Sequence, residues 1–166
     1  MDSNFPYFPP NNVFDKVYLA LSLLYETCKE RQSIYRHTFY HDNSAWLNEF
    51  CTIRMSSGRR SGQSYSIVRL IVDRGLDSIV LFPQEKQIIS FEGIFPSLYP
   101  DYDYRNKVFL STIDQVVKIS GKKFNSIFVD CATYALNGKR EKDLKNIILS
   151  SKFDLMKEDF FLFLIE

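Results

Sequence analysis

The sequence lacks the long apolar runs that membrane helices require. No window of the 166-residue chain approaches the roughly 18 consecutive apolar residues of a spanning helix. The opening stretch MDSNFPYFPPNN has neither a positive flank nor a continuous apolar core, so it is unlike a signal peptide. These absences predict a cytoplasmic protein with no membrane partner.

The sequence also has little net charge and few cysteines. Its 21 lysines and arginines nearly balance 20 aspartates and glutamates, so no field of the whole molecule would draw it to nucleic acid. Cys28, Cys51 and Cys131 are odd in number, widely spaced and set in apolar runs, which is typical of reduced thiols. A hydrophobic fraction of 45% is enough for one globular domain to bury a core without disulfides.

Helical patterns recur along the chain. Apolar residues at steps of three and four predict a first long helix over residues 12–31. Further helices are predicted at 43–50, 62–74, 112–119 and 141–150. For 84–106 we expect some irregular loop, together with a short helix after Gln84.

Short, almost wholly apolar runs lie between these helices. They predict strands at 51–55, 77–83, 107–111, 125–130 and 160–166. Apolar strands that alternate with helices are typical of a parallel sheet covered on both faces. The predicted class is therefore α/β, with a mainly parallel central sheet flanked by helices.

The loop SSGRRSGQS, at residues 56–64, is nearly a phosphate-binding loop. The pattern G-x-x-x-x-G-K-[ST] is met at Gly62 and Ser64, whereas Ser57 replaces a glycine and Gln63 replaces the lysine. A predicted strand before the loop and a predicted helix after it supply the setting in which backbone amides wrap phosphate. The alternative is an ordinary surface loop rich in serine, glycine and arginine.

A carboxylate follows the apolar run SIFV. Asp130 stands at the predicted carboxyl end of a parallel strand, which is where a nucleotide site holds its Mg²⁺-binding aspartate. The alternative is a capping or turn residue. The next residue is Cys131, in the position where nucleotide hydrolases of this type place a glutamate that activates water, and a cysteine cannot serve as that base.

From about residue 52 to 165 the order of these segments resembles the first RecA-like domain of superfamily 2 helicases and the ATPase domain of phage terminase large subunits. SSGRRSGQS resembles motif I, DSIVLFPQEKQ motif Ia, VFLSTIDQVV motif Ib and FNSIFVDCATYA motif II. The resemblance implies a three-layer RecA-like P-loop domain over 51–166. Residues 1–50 would be a helical lead-in packed on its core, within one globular domain.

The resemblance also implies a nucleotide site built from degenerate Walker A and Walker B motifs. Its phosphate-binding positions are Ser57, Gly58, Arg59, Arg60, Ser61, Gly62, Gln63 and Ser64. Ser64 and Asp130 fall on the metal-binding positions. Because some terminases carry the phosphate-contacting cation further upstream in the loop, Arg59 or Arg60 is a candidate substitute for the missing lysine. Cys131 falls on the position of the catalytic glutamate, so the resemblance assigns no catalytic residue.

These departures predict a phage-encoded pseudo-ATPase, a non-hydrolysing module that binds nucleotide or another protein and is related to DNA-packaging and helicase motors. The expected cofactor is ATP with Mg²⁺, or none, and the expected partner is a protein in the host cytoplasm, with DNA as a second candidate. One alternative is an active ATPase with a deviant loop, acting on DNA as an oligomer or with a partner. The other is a nucleic-acid-binding protein without NTPase activity.

Three further patterns have functional interpretations. His37 and His41 have a spacing able to bind a metal on a helix, although no third ligand lies nearby. The thiol of Cys131 would be a nucleophile if a histidine activated it. Arginines cluster around the loop and the helix after it, and would contact a phosphate backbone if they are not simply a solvated surface. They are Arg54, Arg59, Arg60, Arg69 and Arg74.

Overall fold

A computed structural model of the chain describes residues 13–38, 42–57, 62–115, 123–136, 138–150 and 158–166. Within them, five strands form one sheet: β1 Thr52–Met55, β2 Ser78–Phe82, β3 Val108–Thr112, β4 Ser126–Val129 and β5 Phe161–Ile165. The order is β1-β5-β4-β2-β3 and all neighbours are parallel. The predicted α/β class and parallel sheet are confirmed, and each strand lies within one residue of its predicted bounds.

The register of the sheet brings the ends of β1 and β4 to the same edge, with β5 between them. Phe163 of β5 pairs with Ile53 of β1 on one side and with Phe128 of β4 on the other. The rings of Phe128 and Phe163 stack with 4.4 Å between their centroids. Since neighbouring strands lie about 4.8 Å apart, β1 and β4 are about 10 Å apart. The segments that follow these two strands therefore open onto a common crevice.

Helices cover both faces of the sheet. They are α1 Val13–Tyr35, α2 Asn43–Trp46, α3 Gln63–Arg74, α4 Glu85–Glu92, α5 Ile94–Leu98, α6 Ala132–Ala135 and α7 Gly138–Ser150. Alternate strand residues point to opposite faces: Val80 and Phe128 pack with α1, α3, α4 and α5, whereas Ile79 and Val129 pack with α2, α6 and α7. The result is three layers. None of the helices in the described ranges is both long and apolar enough to cross a membrane.

Helix α1 belongs to the core that covers one face of the sheet. Its buried stripe recurs at steps of three and four residues and consists of Val17, Leu21, Tyr25, Cys28 and Gln32. The helix continues to Tyr35, four residues beyond the predicted end at residue 31. The extension is explained by Gln32, which is polar but fully buried, so that an apolar pattern alone stops one turn too early.

Residues 84–106 contain more helix than predicted. The short helix expected after Gln84 is present as α4, and α5 follows it at once. Phe91 packs edge-on against Phe82, 5.0 Å away, and against Phe95, 5.8 Å away. The interruption by Gly93 hides this apolar pattern in the sequence, because it divides one helical stretch into two pieces that are each short.

Two other helical predictions need correction, and one helix was not predicted. The helix predicted at 43–50 is an α-helical turn, α2, followed by a π-helical turn over Leu47–Cys51. Of the helix predicted at 112–119, Thr112 belongs to β3, a 3₁₀ turn covers 113–115, and 116–119 lie outside the described residues. Helix α6, which begins just after Cys131, was not predicted, because four residues are too few for a periodic pattern.

Candidate functional site

The turn after β1 leads into the first turn of α3. The backbone N–H of Ser57 donates to the carbonyl of Glu166 at 3.0 Å, so the chain that leaves β1 stays joined to the end of β5. Four predicted phosphate-binding positions, Gly58, Arg59, Arg60 and Ser61, lie outside the described residues. Gly62 precedes α3 with a φ of 81°, a left-handed conformation that glycine adopts without strain.

The beginning of α3 faces the edge of the sheet where β1 and β4 end. Ser66 holds this first turn in place, since its backbone N–H and its hydroxyl both donate to the carbonyl of Gly62, at 2.9 and 3.0 Å. The first N–H groups of an α-helix have no acceptor within the helix, and the helix dipole adds partial positive charge there. A negatively charged group is therefore favoured at this end of α3.

Ser64 and Asp130 meet in space. The hydroxyl of Ser64, in the first turn of α3, donates a hydrogen bond of 3.0 Å to Oδ2 of Asp130, just after β4. The backbone N–H of Asp130 donates to the carbonyl of Leu81 at 3.0 Å, which fixes the aspartate to the end of the sheet. The two residues that the sequence analysis placed at the metal-binding positions therefore form a direct contact.

Asp130 is an unusual carboxyl group because it is only 6% exposed. Loss of hydration raises its pKa above the ordinary aspartate value. Hydrogen bonds from the Ser64 hydroxyl and from the backbone amide and thiol of Cys131 oppose this shift but do not cancel it. The site therefore holds a partly compensated negative charge, which a bound cation would stabilise.

Cys131 follows the aspartate in a left-handed backbone conformation, with φ 55° and ψ 51°. It is the one residue other than glycine with a positive φ in the part of the chain that is described. Such a conformation is unfavourable for a residue with a Cβ by about 1–2 kcal/mol. The thiol is half-buried and donates to Asp130. No histidine is among the described residues that line the cavity beside it, so the nucleophile hypothesis stays a prediction.

Gln63, which the sequence analysis aligned with the lysine of a phosphate-binding loop, has its side chain hydrogen-bonded within the protein. Its Nε2 donates to Oγ of Ser57 at 2.7 Å and also to the backbone carbonyl of Glu166. These contacts join the start of α3 to the ends of β1 and β5. The Gln63 amide thus stabilises the loop by hydrogen bonds within the protein.

A cavity of about 560 Å³ opens beside these residues. This volume lies within the range of about 300–1,000 Å³ that is typical of ligand sites. The beginning of α3 and the end of β4 form one side, and α4 and α5 form the other. The lining residues are Gly62, Gln63, Ser64, Tyr65, Gln87, Ser90, Phe91, Ile94, Asp130 and Cys131. Among these described residues the only carboxyl group is that of Asp130, and there is no lysine or arginine.

The wall contributed by α4 and α5 was not predicted as part of the site. Gln87, Ser90, Phe91 and Ile94 supply it. A signal for it was available, because α4 follows β2, and all parallel strands of one sheet end at the same edge. The residues after β2 therefore had to lie near those after β1 and β4.

The arginines predicted to surround the loop form ion pairs within the protein where they are described. Arg54 pairs with Glu141. Arg69 pairs with Asp15 at 2.7 Å, and its guanidinium lies 4.0 Å from the centre of the Tyr18 ring. Arg74 pairs with Glu26 at 2.9 Å. These ion pairs therefore link α7 to β1 and α1 to α3.

The sequence analysis predicted two metal sites, one at His37 and His41 and one at Ser64 and Asp130, and the structure describes only the second in full. His37 lies in the turn after α1 and His41 lies outside the described residues, so their pairing stays a prediction. No group of three or more His, Cys, Asp or Glu residues is assembled in the described segments. Ser64 and Asp130 supply two oxygen ligands, which fits Mg²⁺, because this ion is usually held by one or two protein oxygens together with substrate phosphates and water.

No model of a known protein family matches the chain, and no curated protein is significantly similar to it in sequence. A function for this protein is therefore inferred from the geometry of the cavity.

Proposed function

We propose that the cavity binds the phosphate groups of a magnesium-bound nucleotide, and that the protein is a non-hydrolysing module with a P-loop NTPase fold. The observation that carries this proposal is the 3.0 Å contact between Ser64 Oγ and Asp130 Oδ2 at the beginning of α3. A hydroxyl and a carboxylate in this arrangement are the two protein ligands that would hold Mg²⁺ beside a phosphate. Several N–H groups of α3 would face the phosphate oxygens.

The groups around that pair support the proposal that the nucleotide is not hydrolysed. Activation of water by a positioned base typically accelerates a reaction by about 10²–10⁴-fold. Asp130 is the only carboxyl group among the described lining residues, and it is already bonded to Ser64 and Cys131. An active ATPase would therefore need a base from outside these described lining residues.

A module that holds a nucleotide without consuming it would act through contact with another protein. DNA remains the second candidate partner. It would need cations that are free to contact phosphates, and Arg54, Arg69 and Arg74 are each paired with a carboxylate of this chain. These three arginines therefore do not favour DNA, whereas Arg59 and Arg60 lie outside the described residues.

Thermal unfolding tests the proposal, because a ligand that binds only the folded state raises the unfolding temperature. At a free ligand concentration of about 100 times Kd the expected gain is about 2.7 kcal/mol. We expect stabilisation by ADP or ATP with Mg²⁺, and little or none when EDTA removes the metal. Ser64→Ala and Asp130→Asn should abolish the effect.

Two exposed positions provide matched controls for these variants. Ser97→Ala, in α5, and Asp101→Asn should respond to nucleotide as the unchanged protein does. A flat response of the unchanged protein to millimolar nucleotide with Mg²⁺ would refute the proposal. Steady phosphate release that disappears in Asp130→Asn would instead establish the active ATPase.

A further inference from the structure

A second cavity lies at the opposite edge of the sheet, where the strands begin. Ser78, the first residue of β2, pairs with Val108 of β3 on one side and with Ser126 of β4 on the other. Because these strands start in register, the segments that precede them meet at this edge, where they border a cavity of about 230 Å³. The length of β2, about 16 Å, separates this cavity from the one beside Asp130.

Three cationic side chains line this second cavity. Arg105 and Lys107 come from the turn before β3, and Lys123 comes from the segment before β4. The other described lining residues are uncharged. None of the three cations takes part in an ion pair between residues that the structure describes. Their positive charges therefore add at one place, and an anion that entered the cavity would relieve their mutual repulsion.

Hydrogen bonds fix the turn that carries two of these cations. The backbone N–H of Lys107 donates to the carbonyl of Tyr104 at 2.9 Å. The Asp103 carboxylate accepts from the Arg105 N–H at 3.3 Å and from Nδ2 of Asn106 at 3.0 Å. The guanidinium of Arg105 lies 5.7 Å from the centre of the Tyr104 ring. The backbone of the turn is thus fixed without a ligand, so that binding would order only the exposed side chains.

We propose that this cavity is an anion site that binds one phosphate group, either free or as a phosphomonoester. A phosphomonoester carries a charge of about −1.5 to −2 at pH 7, which three cations balance. The planar fork of Arg105 matches two phosphate oxygens, and the two lysines act as point charges. The volume lies below the range of about 300–1,000 Å³ for sites that hold a whole small molecule, so the cavity suits a single group. This inference does not depend on the proposed nucleotide site.

NMR titration of the isotope-labelled full chain with sodium phosphate and with O-phosphoserine, both without Mg²⁺, tests the inference. The backbone amide signals of residues 105–109 and 123–126 should shift and be half-saturated at about 1 mM ligand. Sodium chloride at the same ionic strength should not produce saturable shifts. Tighter binding of O-phosphoserine would identify the ligand as a phosphomonoester and equal or weaker binding would identify free phosphate; both results support the inference.

A double variant with a matched control tests the cations themselves. Lys107→Gln with Lys123→Gln should weaken binding by about tenfold or more. Lys16→Gln with Lys29→Gln removes the same charge from exposed positions of α1 and should keep the affinity within about twofold. Because the lysines before β3 and β4 are exposed, the first double variant should fold, and Arg105→Gln provides a second variant if it does not.

Three results would overturn the inference. One is the absence of shifts at residues 105–109 and 123–126, and shifts confined to residues 62–66 would then support the proposed nucleotide site alone. Another is equal affinity of a folded Lys107→Gln, Lys123→Gln variant and the unchanged protein. The third is a single-stranded oligonucleotide that shifts residues 105–109 when neither phosphate nor O-phosphoserine does, since that would make this edge a nucleic-acid surface.

Discussion

The hydroxyl of Ser64 donates a 3.0 Å hydrogen bond to the carboxylate of Asp130, although the two residues are 66 positions apart. The contact joins the first turn of α3 to the end of β4, across the intervening strand β5. It buries a carboxyl group at the edge of the sheet where β1, β4 and β2 all end. The stability of the protein and its proposed function therefore both depend on the charge of Asp130.

Asp130→Asn should stabilise the protein at pH 7 in the absence of ligand. Burial raises the pKa of Asp130 above 3.8, its ordinary value, so the folded state binds this proton more tightly than the unfolded state. The free energy of unfolding therefore falls as pH rises from 3.8 to the raised pKa, and the loss persists above it. Asparagine removes the charge and should gain about 1 kcal/mol, or about 2–4 °C in the unfolding temperature.

Urea unfolding between pH 4 and pH 8 measures this effect. The stability of Asp130→Asn should fall less over that range than the stability of the unchanged protein. Asp101→Asn, at an exposed position, controls for the loss of one negative charge. A lower stability of Asp130→Asn at pH 7 would show that the hydrogen bonds to the carboxylate outweigh its burial.

Replacing Cys131 by glycine and by alanine should separate backbone strain from the loss of the thiol. Both variants remove the sulfur, but only glycine adopts φ 55° and ψ 51° without steric conflict. We expect Cys131→Gly to be about 1 kcal/mol more stable than Cys131→Ala in urea unfolding. Equal stabilities would mean that alanine relaxes to an ordinary conformation and that the strain is not imposed by the fold.

Gln32→Leu should be strongly destabilising. The Nε2 of Gln32 donates to the carbonyls of Phe160, at 2.7 Å, and of Phe50, at 3.1 Å, and its Oε1 accepts from the backbone N–H of Phe160 at 3.2 Å. Leucine fills the space but removes these three hydrogen bonds, while the Phe50 carbonyl keeps the bond from the Cys28 thiol at 2.7 Å. Each hydrogen bond lost typically costs about 1 kcal/mol. We expect a total loss of about 2–4 kcal/mol in chemical unfolding.

An exposed residue of the same helix is the control for Gln32. Ser33→Ala should change stability by less than about 0.5 kcal/mol, as surface substitutions usually do. If Gln32→Leu lowers stability by equally little, water or a backbone shift has replaced the hydrogen bonds to the Phe50 carbonyl and to the carbonyl and N–H of Phe160.

The three thiols should react with iodoacetamide at different rates. Cys28 and Cys51 are buried, and burial raises the pKa of each thiol, so little reactive thiolate forms. Cys131 is half-buried and lines the cavity. Peptide mapping by mass spectrometry should find Cys131 modified first, and Mg-ADP should slow its modification. The Cys131→Ser variant should show only slow labelling, and early modification of Cys28 would indicate opening of α1.

Sequence reasoning located the strands and singled out two residues, Ser64 and Asp130, that the fold brings into contact. Apolar runs marked the five strands of the described sheet, because β2, β4 and β5 are buried on both faces, and the residues that follow parallel strands are confined to one edge. That is why Ser64 and Asp130 were identifiable before the fold was known. Gln87 and Ser90 were not predicted as lining residues of the cavity, because neither belongs to a motif. Only the packing of α4 on β2 brings them to the cavity.

The amino-acid sequence by itself determined the class of fold and the positions of the strands, since these depend on local apolar periodicity. Tertiary structure decided what Gln63 and Asp130 contact. Only the convergence of β1, β5 and α3 directs the Gln63 amide to Ser57 and Glu166, and only the packing of α3 against the end of β4 brings Ser64 to the buried carboxyl group of Asp130. The Gln63–Glu166 and Ser64–Asp130 contacts join segments that are 103 and 66 positions apart, so no local pattern encodes them.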